Sequence, residues 1–290
     1  MRVIDQASGD AWALYHADTV DVARGMPDRS VDMAVFSPPF ASLYTYSASA
    51  RDMGNVRSDD EFFEHFGFLI DEMARVMRPG RLVAIHCMQI PTSKERDGYI
   101  GLRDFRGDII RAYQRRGFVY HSEVCIWKDP VTAMQRTKAL GLLHKTIRKD
   151  SAMSRQGIAD YLVIMRTPGA NETPIAHTAD GFPVERWQRY ASPVWATLGP
   201  ADDEGFATCL GRTDPANDAS AIDMSDTLQY MSAREHDDER HICPLQLEVT
   251  RRALRLWSNP GDVVWSPFAG IGSEGHVAIL EGRRFVGAEL

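Results

Sequence analysis

Seven short apolar runs, separated from one another by helical or turn-forming stretches, are the feature that most constrains the fold of this chain. They cover residues 12–16, 31–36, 81–87, 119–127, 160–165, 263–265 and 284–288. Short buried runs that alternate with helices are typical of the strands of a parallel sheet. The sequence therefore predicts an α/β fold built on a parallel sheet.

Three stretches have the spacing of amphipathic helices. In residues 59–77 apolar side chains recur every three or four positions, Ser58 precedes the first turn as an N-cap, and Pro79 and Gly80 end the pattern. Residues 104–115 and 244–257 are predicted helices on similar grounds.

Composition limits the class of protein. A chain of 290 residues with 44% hydrophobic residues can bury one sizeable core and still supply a lobe or a long insertion. The net charge of -7 argues against bulk coating of nucleic acid, so any nucleic-acid surface must be local.

The sequence contains no run of about 18 apolar residues, the length needed to span a bilayer. The first ten residues also lack the apolar core of a signal peptide, so a cytoplasmic location is expected. The four cysteines lie far apart with no CxxC pair, which predicts reduced thiols and no metal site.

Two stretches break the alternation and are predicted insertions. Residues 128–157 carry seven positive side chains against Asp129 and Asp150, which makes this segment a local basic surface. The positive side chains are Lys128, Arg136, Lys138, Lys145, Arg148, Lys149 and Arg155. Residues 167–240 are rich in Pro, Gly, Asp and Thr and show little periodicity, which predicts a functional lobe or a mobile segment.

The first candidate for chemistry is Ser37-Pro38-Pro39-Phe40, which follows the strand predicted at 31–36 at the end where α/β sheets bind ligands. The prolines fix a rigid turn and leave their carbonyls free to accept hydrogen bonds. The amino group of a nucleobase is a poor nucleophile because its lone pair is delocalised into the ring. Acceptors at the Ser37 hydroxyl and the Pro38 carbonyl would favour a more tetrahedral nitrogen, and Phe40 could stack on a base that has left the duplex. From the residues alone, a tight turn with a buried phenylalanine is the alternative.

The second candidate is the loop Ser266-Pro267-Phe268-Ala269-Gly270-Ile271-Gly272-Ser273, which follows a predicted strand and opens a helix. Its glycines let the backbone approach a ligand, and the helix start offers amide donors to a carboxylate, as the methionine end of S-adenosylmethionine requires. Glu289 lies at the end of the next predicted strand, where an acid holds ribose hydroxyls in dinucleotide folds. Asp18 follows the first run and could accept from an adenine amino group, although such a residue also suits a helix cap.

Together these motifs resemble the amino-methyltransferase family that modifies cytosine or adenine in DNA. The catalytic tetrapeptide precedes the cofactor loop, as in the permuted beta class. The resemblance implies a Rossmann-like, S-adenosylmethionine-dependent methyltransferase fold with an inserted target-recognition region, and a double-stranded DNA substrate whose target base is flipped. It assigns catalysis to Ser37, Pro38, Pro39 and Phe40. It assigns cofactor binding to Asp18, Pro267, Phe268, Ala269, Gly270, Gly272, Glu289, His241 and Gln246.

The resemblance also divides the chain into a catalytic half at 1–127, a recognition insertion at 128–240 that contains a core strand at 158–166, and a cofactor-binding half at 241–290. DNA contacts are expected from Lys138, Lys145, Arg148, Lys149 and Arg155. Serine at the first catalytic position favours cytosine N4 as the target, with adenine N6 as the alternative. A restriction-modification role and a homodimer are compatible with the family.

Two further readings of the function stay open. Ser266 stands where the family usually has Asp, and Ser273 and Glu274 replace a usual Thr pair, which permits an inactive DNA-binding relative. Methylation of a small molecule would leave the basic segment without a purpose. Trp187, Tyr190 and Trp195 are interpreted as a satellite core, and His86 and His121 as hydrogen-bonded core histidines without a role.

Overall fold

A computed structural model describes residues 3–40, 53–56, 58–128, 130, 144–154, 156–196, 222–223, 225–228 and 245–290. The strands are β1 Val3–Gly9, β2 Trp12–Ala17, β3 Val31–Phe36, β4 Met77–Met88, β5 Ile90–Pro91, β6 Leu102–Arg103, β7 Val119–Trp127, β8 Asp160–Arg166, β9 Val194–Ala196, β10 Val263–Ser266 and β11 Arg284–Glu289. The helices are α1 Thr19–Gly25, α2 Asp59–Val76, α3 Lys94–Asp97, α4 Phe105–Gln114, α5 His144–Lys149, α6 Val184–Tyr190, α7 Leu247–Trp257 and α8 Ser273–Leu280.

Nine strands form one sheet in the order β1-β2-β11-β10-β3-β4-β8-β7-β9, and β5 and β6 form a separate pair. The five strands from β2 to β4 in this order are parallel, as predicted. The prediction was wrong for the flanks, because β1 is antiparallel to β2, and β8 is antiparallel to both β4 and β7. Apolar runs identify buried strands but carry no information on their direction. The sequence pattern also contained no sign of β1, which is largely exposed, or of the three-residue β9.

The two faces of the sheet are covered by different helices. On one face α1, α2 and α4 pack through residues such as Phe62, Phe66 and Tyr113. On the other face α7 and α8 pack through residues such as Leu254 and Val277. The result is a layered core in which both sides of the parallel strands are buried.

The helix ends agree with the local chemistry of the sequence. The Ser58 hydroxyl accepts a hydrogen bond from the Glu61 amide at 3.2 Å and caps α2, as predicted. The helix ends at Val76, before the predicted stop at Pro79, because Met77 is extended and begins β4. Asp104 caps α4 by accepting from the Gly107 amide at 3.1 Å.

A buried ion pair joins three strands near their amino ends. The Arg81 guanidinium is fully buried and lies 3.0 Å from Asp262 and 3.3 Å from Asp32. Asp32 also accepts a hydrogen bond from the Val263 amide at 2.9 Å. Removing one member of such a group leaves a buried charge uncompensated, which costs about 3–5 kcal/mol. The buried charges at the amino ends of these strands therefore stabilise the fold.

The long segment after β8 contributes to the main core rather than to a separate surface. Trp195 on β9 is 1% exposed and belongs to the cluster beneath α7. The Arg252 guanidinium lies 5.2 Å from the Tyr190 ring and 5.3 Å from the Trp195 ring. Tyr190 and Trp195 are therefore buried, but Trp195 belongs to the main core and not to the predicted satellite core, and Trp187 is 52% exposed.

Two described thiols, Cys87 and Cys125, are free. Within the described ranges, no helix combines the length and apolar character needed to cross a bilayer. Nor do these ranges hold a group of three or more His, Cys, Asp or Glu residues arranged for a metal ion.

Candidate active site

The candidate site lies where the parallel strands end. Because β2, β11, β10, β3 and β4 run in the same direction, their carboxyl ends meet at one edge of the sheet. Ser37 follows β3, and the loop that begins at Pro267 follows its neighbour β10. Glu289 ends β11 and Asp18 follows β2. The fold thus brings together segments that are more than two hundred residues apart in the sequence.

The proline turn is held firmly against the core. Pro38 is buried, and Ser37 and Pro39 are half-buried. The Phe40 ring is also half-buried and packs edge-on against Phe105, with ring centroids 6.0 Å apart and planes at 74°. The turn is therefore packed against the core, its rigidity stays a prediction, and Phe40 keeps part of its ring exposed.

Aromatic contacts join the proline turn to the glycine loop. The ring centroid of Phe268 in the loop lies 5.8 Å from that of Phe36, the last residue of β3, and 6.5 Å from that of Phe66 on α2. The Ala269 amide donates to the Ala288 carbonyl at 2.9 Å and fixes the loop against β11. Pro267 and Ala269 are buried, so these two residues anchor the loop to the core.

The glycines of the loop adopt conformations that other residues avoid. Gly270 has φ +49° and Gly272 has φ +87°, and nothing lies within 4 Å of where a Cβ would be on either residue. The Gly270 amide donates to the Glu289 carboxylate at 2.6 Å. The loop is therefore hydrogen-bonded to the acid at the end of β11, beside the start of α8.

Three polar residues that were not assigned a role lie beside Ser37. His86 Nδ1 is 3.2 Å from Ser37 Oγ, and His86 Nε2 is 2.9 Å from Asp160 Oδ2. The Lys128 ammonium forms an ion pair with the same Asp160 oxygen. His86 is a hydrogen-bonded buried histidine, as predicted, but its partners place it in the candidate site.

These residues meet because four neighbouring strands present the same face. Alternation puts Ser37 in line with Met33 and Val35, and puts His86 in line with Leu82 and Ala84. By the same rule Asp160 and Lys128 share the face that α7 covers. Because β8 and β7 are antiparallel, Asp160 begins its strand and Lys128 follows its strand at the same edge as Ser37. The alternation of side chains along each strand can be read from the sequence and shows which residues of one strand share a face. The order of the strands and their register cannot be read from it.

Comparison with known proteins places these features in a family. A family model described as DNA methylase matches residues 31–290. The chain is 42% identical over 286 residues to the DNA adenine methyltransferase YhdJ of Escherichia coli K12, covering 97% of this chain and 79% of that protein. The chain belongs to the DNA methylase family. It is also 22% identical over 279 residues to the Type II methyltransferase M.BglII of Bacillus subtilis, covering 96% of this chain and 65% of that protein.

Solved structures agree with the fold of this methylase. A DNA modification methylase from Thermus thermophilus, crystallised with S-adenosyl-L-methionine, superposes with a TM-score of 0.63 at 21% identity, over 96% of this chain and 88% of that one. The cytosine-N4-specific PvuII DNA methyltransferase superposes with a TM-score of 0.61 at 13% identity, over 100% of this chain and 86% of that one. The predicted Rossmann-like methyltransferase fold is therefore confirmed.

Two residues that the resemblance assigned to the cofactor site have structural positions in this methylase. Asp18 caps α1 by accepting from the Asp21 amide at 3.0 Å, as the helix-cap alternative predicts, and its assignment to the cofactor site stays a prediction. Gln246 is 4% exposed and immediately precedes α7. His241 lies outside the described residues.

A buried acid, Glu274, lies in the first turn of α8, next to the glycine loop. Burial raises the pKa of its carboxyl to about 8, with a smaller contribution from the negative charge of Glu289. Near the loop, Ser266 Oγ and Ser273 Oγ are buried without a hydrogen-bond partner among the described residues.

The basic segment is described only in part, since Lys138 and Arg155 lie outside the described residues. Lys145, Arg148 and Lys149 lie on α5, which buries none of its side chains. The segment leaves the sheet after β7 and returns at the start of β8, so both of its connections lie at the edge that carries Ser37. The basic helix therefore belongs to the loops on the side of the candidate site.

Proposed function

We propose that this methylase transfers a methyl group from S-adenosylmethionine to the exocyclic amino group of a base in DNA, with Ser37-Pro38-Pro39-Phe40 as its catalytic turn. The observation that carries the proposal is that this turn and the glycine loop lie at the carboxyl ends of two adjacent parallel strands. The ring centroids of Phe36, just before the turn, and Phe268, in the loop, are 5.8 Å apart. A methyl donor held by one segment would then face an amino group held by the other.

The catalytic turn acts on the nitrogen of the base. The Ser37 hydroxyl and the Pro38 carbonyl accept its two amino hydrogens, which draws the nitrogen toward a tetrahedral geometry and directs its lone pair at the methyl group. The target base leaves the duplex to reach the turn, and the exposed part of the Phe40 ring stacks on it. No cysteine occupies this turn, so methyl transfer is direct, without a covalent enzyme–base adduct.

The residues at the end of β10 fit the methionine and ribose portions of S-adenosylmethionine. The open space around Gly270 and Gly272 admits a ligand close to the backbone, and the first turn of α8 offers amides to a carboxylate. The Glu289 carboxylate, already directed at the loop by the Gly270 amide, is placed to accept from ribose hydroxyls. When bound, S-adenosylmethionine supplies the electrophilic methyl group.

The basic residues on α5 hold the DNA. Their location among the loops on the side of Ser37 suits contact with the phosphates that flank a flipped base. The chain as a whole is acidic, with a net charge of -7, so that binding depends on this local surface. We also assign residues 128–240 to target recognition, as the family resemblance implies, apart from the core strands β8 and β9 that this region contains.

Ser37 favours cytosine N4 as the target. In this respect the catalytic turn resembles that of the cytosine-modifying members of the family, in which serine is commoner at this position. Adenine N6 is the second candidate, because the Escherichia coli relative that is 42% identical is named an adenine methyltransferase. Both reactions need the same acceptors at the catalytic turn.

Incubating the purified protein with genomic DNA and labelled S-adenosylmethionine, digesting the DNA to nucleosides and identifying the product by mass spectrometry tests the proposal. Label on N4 of cytosine supports the first candidate and label on N6 of adenine supports the second. Label on carbon five of cytosine, or DNA without label, contradicts the proposed chemistry. A Ser37→Ala protein prepared in parallel controls for contaminating methylases.

A further inference from the structure

The catalytic serine ends a line of buried polar contacts that the proposed chemistry does not yet use. From Ser37 the line passes through His86 to Asp160 and Lys128. His86 is 9% exposed and Asp160 is 3% exposed. Hydrogen bonds between buried partners hold each member in its orientation. His86 and Lys128 both contact Asp160 Oδ2, and Asp160 Oδ1 is buried without a hydrogen-bond partner among the described residues.

Asp160 can only accept hydrogen bonds in this setting. Burial alone would raise the pKa of its carboxyl, but the charges of Lys128 and His86 and the hydrogen bonds from both bring it down to about 2. The ionised carboxylate has no hydrogen to give. The His86 nitrogen that faces it, Nε2, must therefore carry a hydrogen.

That requirement fixes the tautomer in the neutral form of the imidazole. When Nε2 is the donor, Nδ1 has a lone pair and accepts. The group in front of Nδ1 is the Ser37 hydroxyl at 3.2 Å, and the His86 backbone carbonyl is a second inward acceptor at 3.3 Å.

We propose that His86, oriented by Asp160, is a positioning residue that turns the hydrogen of the Ser37 hydroxyl inward and so directs the serine lone pairs at the target amino group. A free hydroxyl can donate or accept, and only accepting helps an amino nitrogen become tetrahedral. With its hydrogen committed to His86, Ser37 presents only acceptor capacity to the base.

This inference rests on the proposed role of Ser37, and a double-mutant cycle separates the two. The variants are Ser37→Ala, His86→Gln and both together, with His86→Asn as the conservative variant. A glutamine amide reaches the position of Nε2 and leaves Ser37 without the side-chain acceptor. An asparagine amide reaches only the position of Nδ1 and restores an acceptor there.

The rate to measure is single-turnover methylation of a DNA duplex containing the target base, with saturating S-adenosylmethionine. We expect His86→Gln to lower this rate between about threefold and a hundredfold, with the Kd for DNA and for S-adenosylmethionine unchanged. In the Ser37→Ala background the same change should lower it by less than about twofold, because its effect passes through the missing hydroxyl. His86→Asn should recover most of the rate.

Equal losses in the two backgrounds, or a His86→Gln protein with the wild-type rate, would overturn the positioning role. A wild-type rate in Ser37→Ala would instead remove Ser37 from catalysis and contradict the proposed function. The two failures are therefore distinguishable.

A measurement on the wild-type protein keeps the inference testable even if His86→Gln does not fold. Nitrogen-15 NMR of the histidine side chains distinguishes a ring protonated at Nε2 from one protonated at Nδ1. We expect the Nε2–H tautomer for the neutral His86 ring and a shift of its Nδ1 resonance in Ser37→Ala. The Nδ1–H form would overturn the proposal.

Discussion

At the scale of single residues, the catalytic turn combines two side chains with different tasks. Ser37 is half-buried and bonded to His86, whereas Phe40 rests its ring edge-on against Phe105. A hydroxyl that accepts in the transition state affects the chemical step, and a ring that stacks on a base affects binding. Substitutions at the two positions should therefore fail in different ways.

We expect Ser37→Ala to lower turnover by on the order of tenfold to a thousandfold with cofactor affinity unchanged, because an acceptor used mostly in the transition state is lost. Phe40→Ala should cost about 1–3 kcal/mol in holding the target base and appear mainly in DNA affinity or in KM. Steady-state kinetics and DNA binding on the same preparations measure both effects. A Phe40→Ala protein that loses only kcat would contradict the stacking role.

Gly270 gives a second prediction at this scale. A leucine there would project into the open space that we assign to the methionine end of the cofactor, so Gly270→Leu should abolish S-adenosylmethionine binding in calorimetry. The backbone strain at φ +49° should cost about 1–2 kcal/mol of stability without unfolding the protein.

Gly261→Leu is the matched control. Gly261 also has a positive φ, +83°, and open space around its Cβ, but it precedes β10 instead of following it. This variant should show comparable strain and retain cofactor binding. Binding near wild-type affinity in Gly270→Leu would remove the loop from the cofactor site.

At the scale of elements, strand direction decides which segments become neighbours. The antiparallel arrangement of β8 and β7 returns Asp160 and Lys128 to the edge that carries Ser37, and it connects the basic segment to the same edge. If β8 ran parallel to β4, Asp160 would lie at the opposite edge, with Arg81, whereas Lys128 follows β7, which has the same direction as β4. The element that this arrangement makes available to the proposed DNA surface is α5.

Replacing Lys145, Arg148 and Lys149 by alanine should weaken DNA binding and lower the slope of log affinity against log salt by up to about three, at roughly 0.9 per phosphate contact. All three side chains are exposed, so the fold should be unaffected. Binding to a labelled duplex over a range of salt concentrations measures the slope.

The matched control removes the same charge from the other edge. Arg24, Arg115 and Arg284 are exposed and lie where α1 and α4 end and where β11 begins, at the amino ends of the parallel strands. Their triple alanine variant should keep the wild-type slope. Equal slopes in the two variants would mean that α5 contributes only net charge.

At the scale of the whole molecule, the two edges of the sheet are specialised. The amino edge holds Arg81 between Asp32 and Asp262, which ties β3, β4 and β10 together. The carboxyl edge holds the polar line of Ser37, the glycine loop and a buried acid, Glu274. Buried ionisable groups at the second edge should make the stability of the fold depend on pH.

Glu274 allows the sign of that dependence to be worked out. Its folded-state pKa of about 8 lies above the ordinary value of 4.5, so between these values the folded protein keeps a proton that the unfolded chain has released. Stability is therefore fully present below pH 4.5 and is lost as pH rises toward 8, by at most about 1.4 kcal/mol per pH unit.

Glu274→Gln should remove this contribution, so its free energy of unfolding should fall less than that of the wild type between about pH 5 and pH 8. Urea unfolding at several pH values, without cofactor, measures the difference. Glu64→Gln, at an exposed position of α2, should keep the wild-type dependence. Parallel curves for wild type and Glu274→Gln would show that Glu274 is ionised in the folded protein.

The sequence by itself determined much of this protein, because the relevant signals are local. Apolar runs located seven strands, and the polar residues Ser58 and Asp104 marked the starts of two helices. The proline turn and the glycine loop could be identified as candidate sites because proline and glycine impose backbone geometry without help from the rest of the chain.

Only the tertiary structure decided which distant residues share the site. Asp18 is a helix cap, Trp195 is buried in the core, and His86 reaches Ser37 and Asp160. Those outcomes depend on the order of strands, on their direction and on a register between β4 and β8 that pairs His86 with Leu162. Register and direction are set by the packing of both sheet faces at once, and no local window of sequence contains that information.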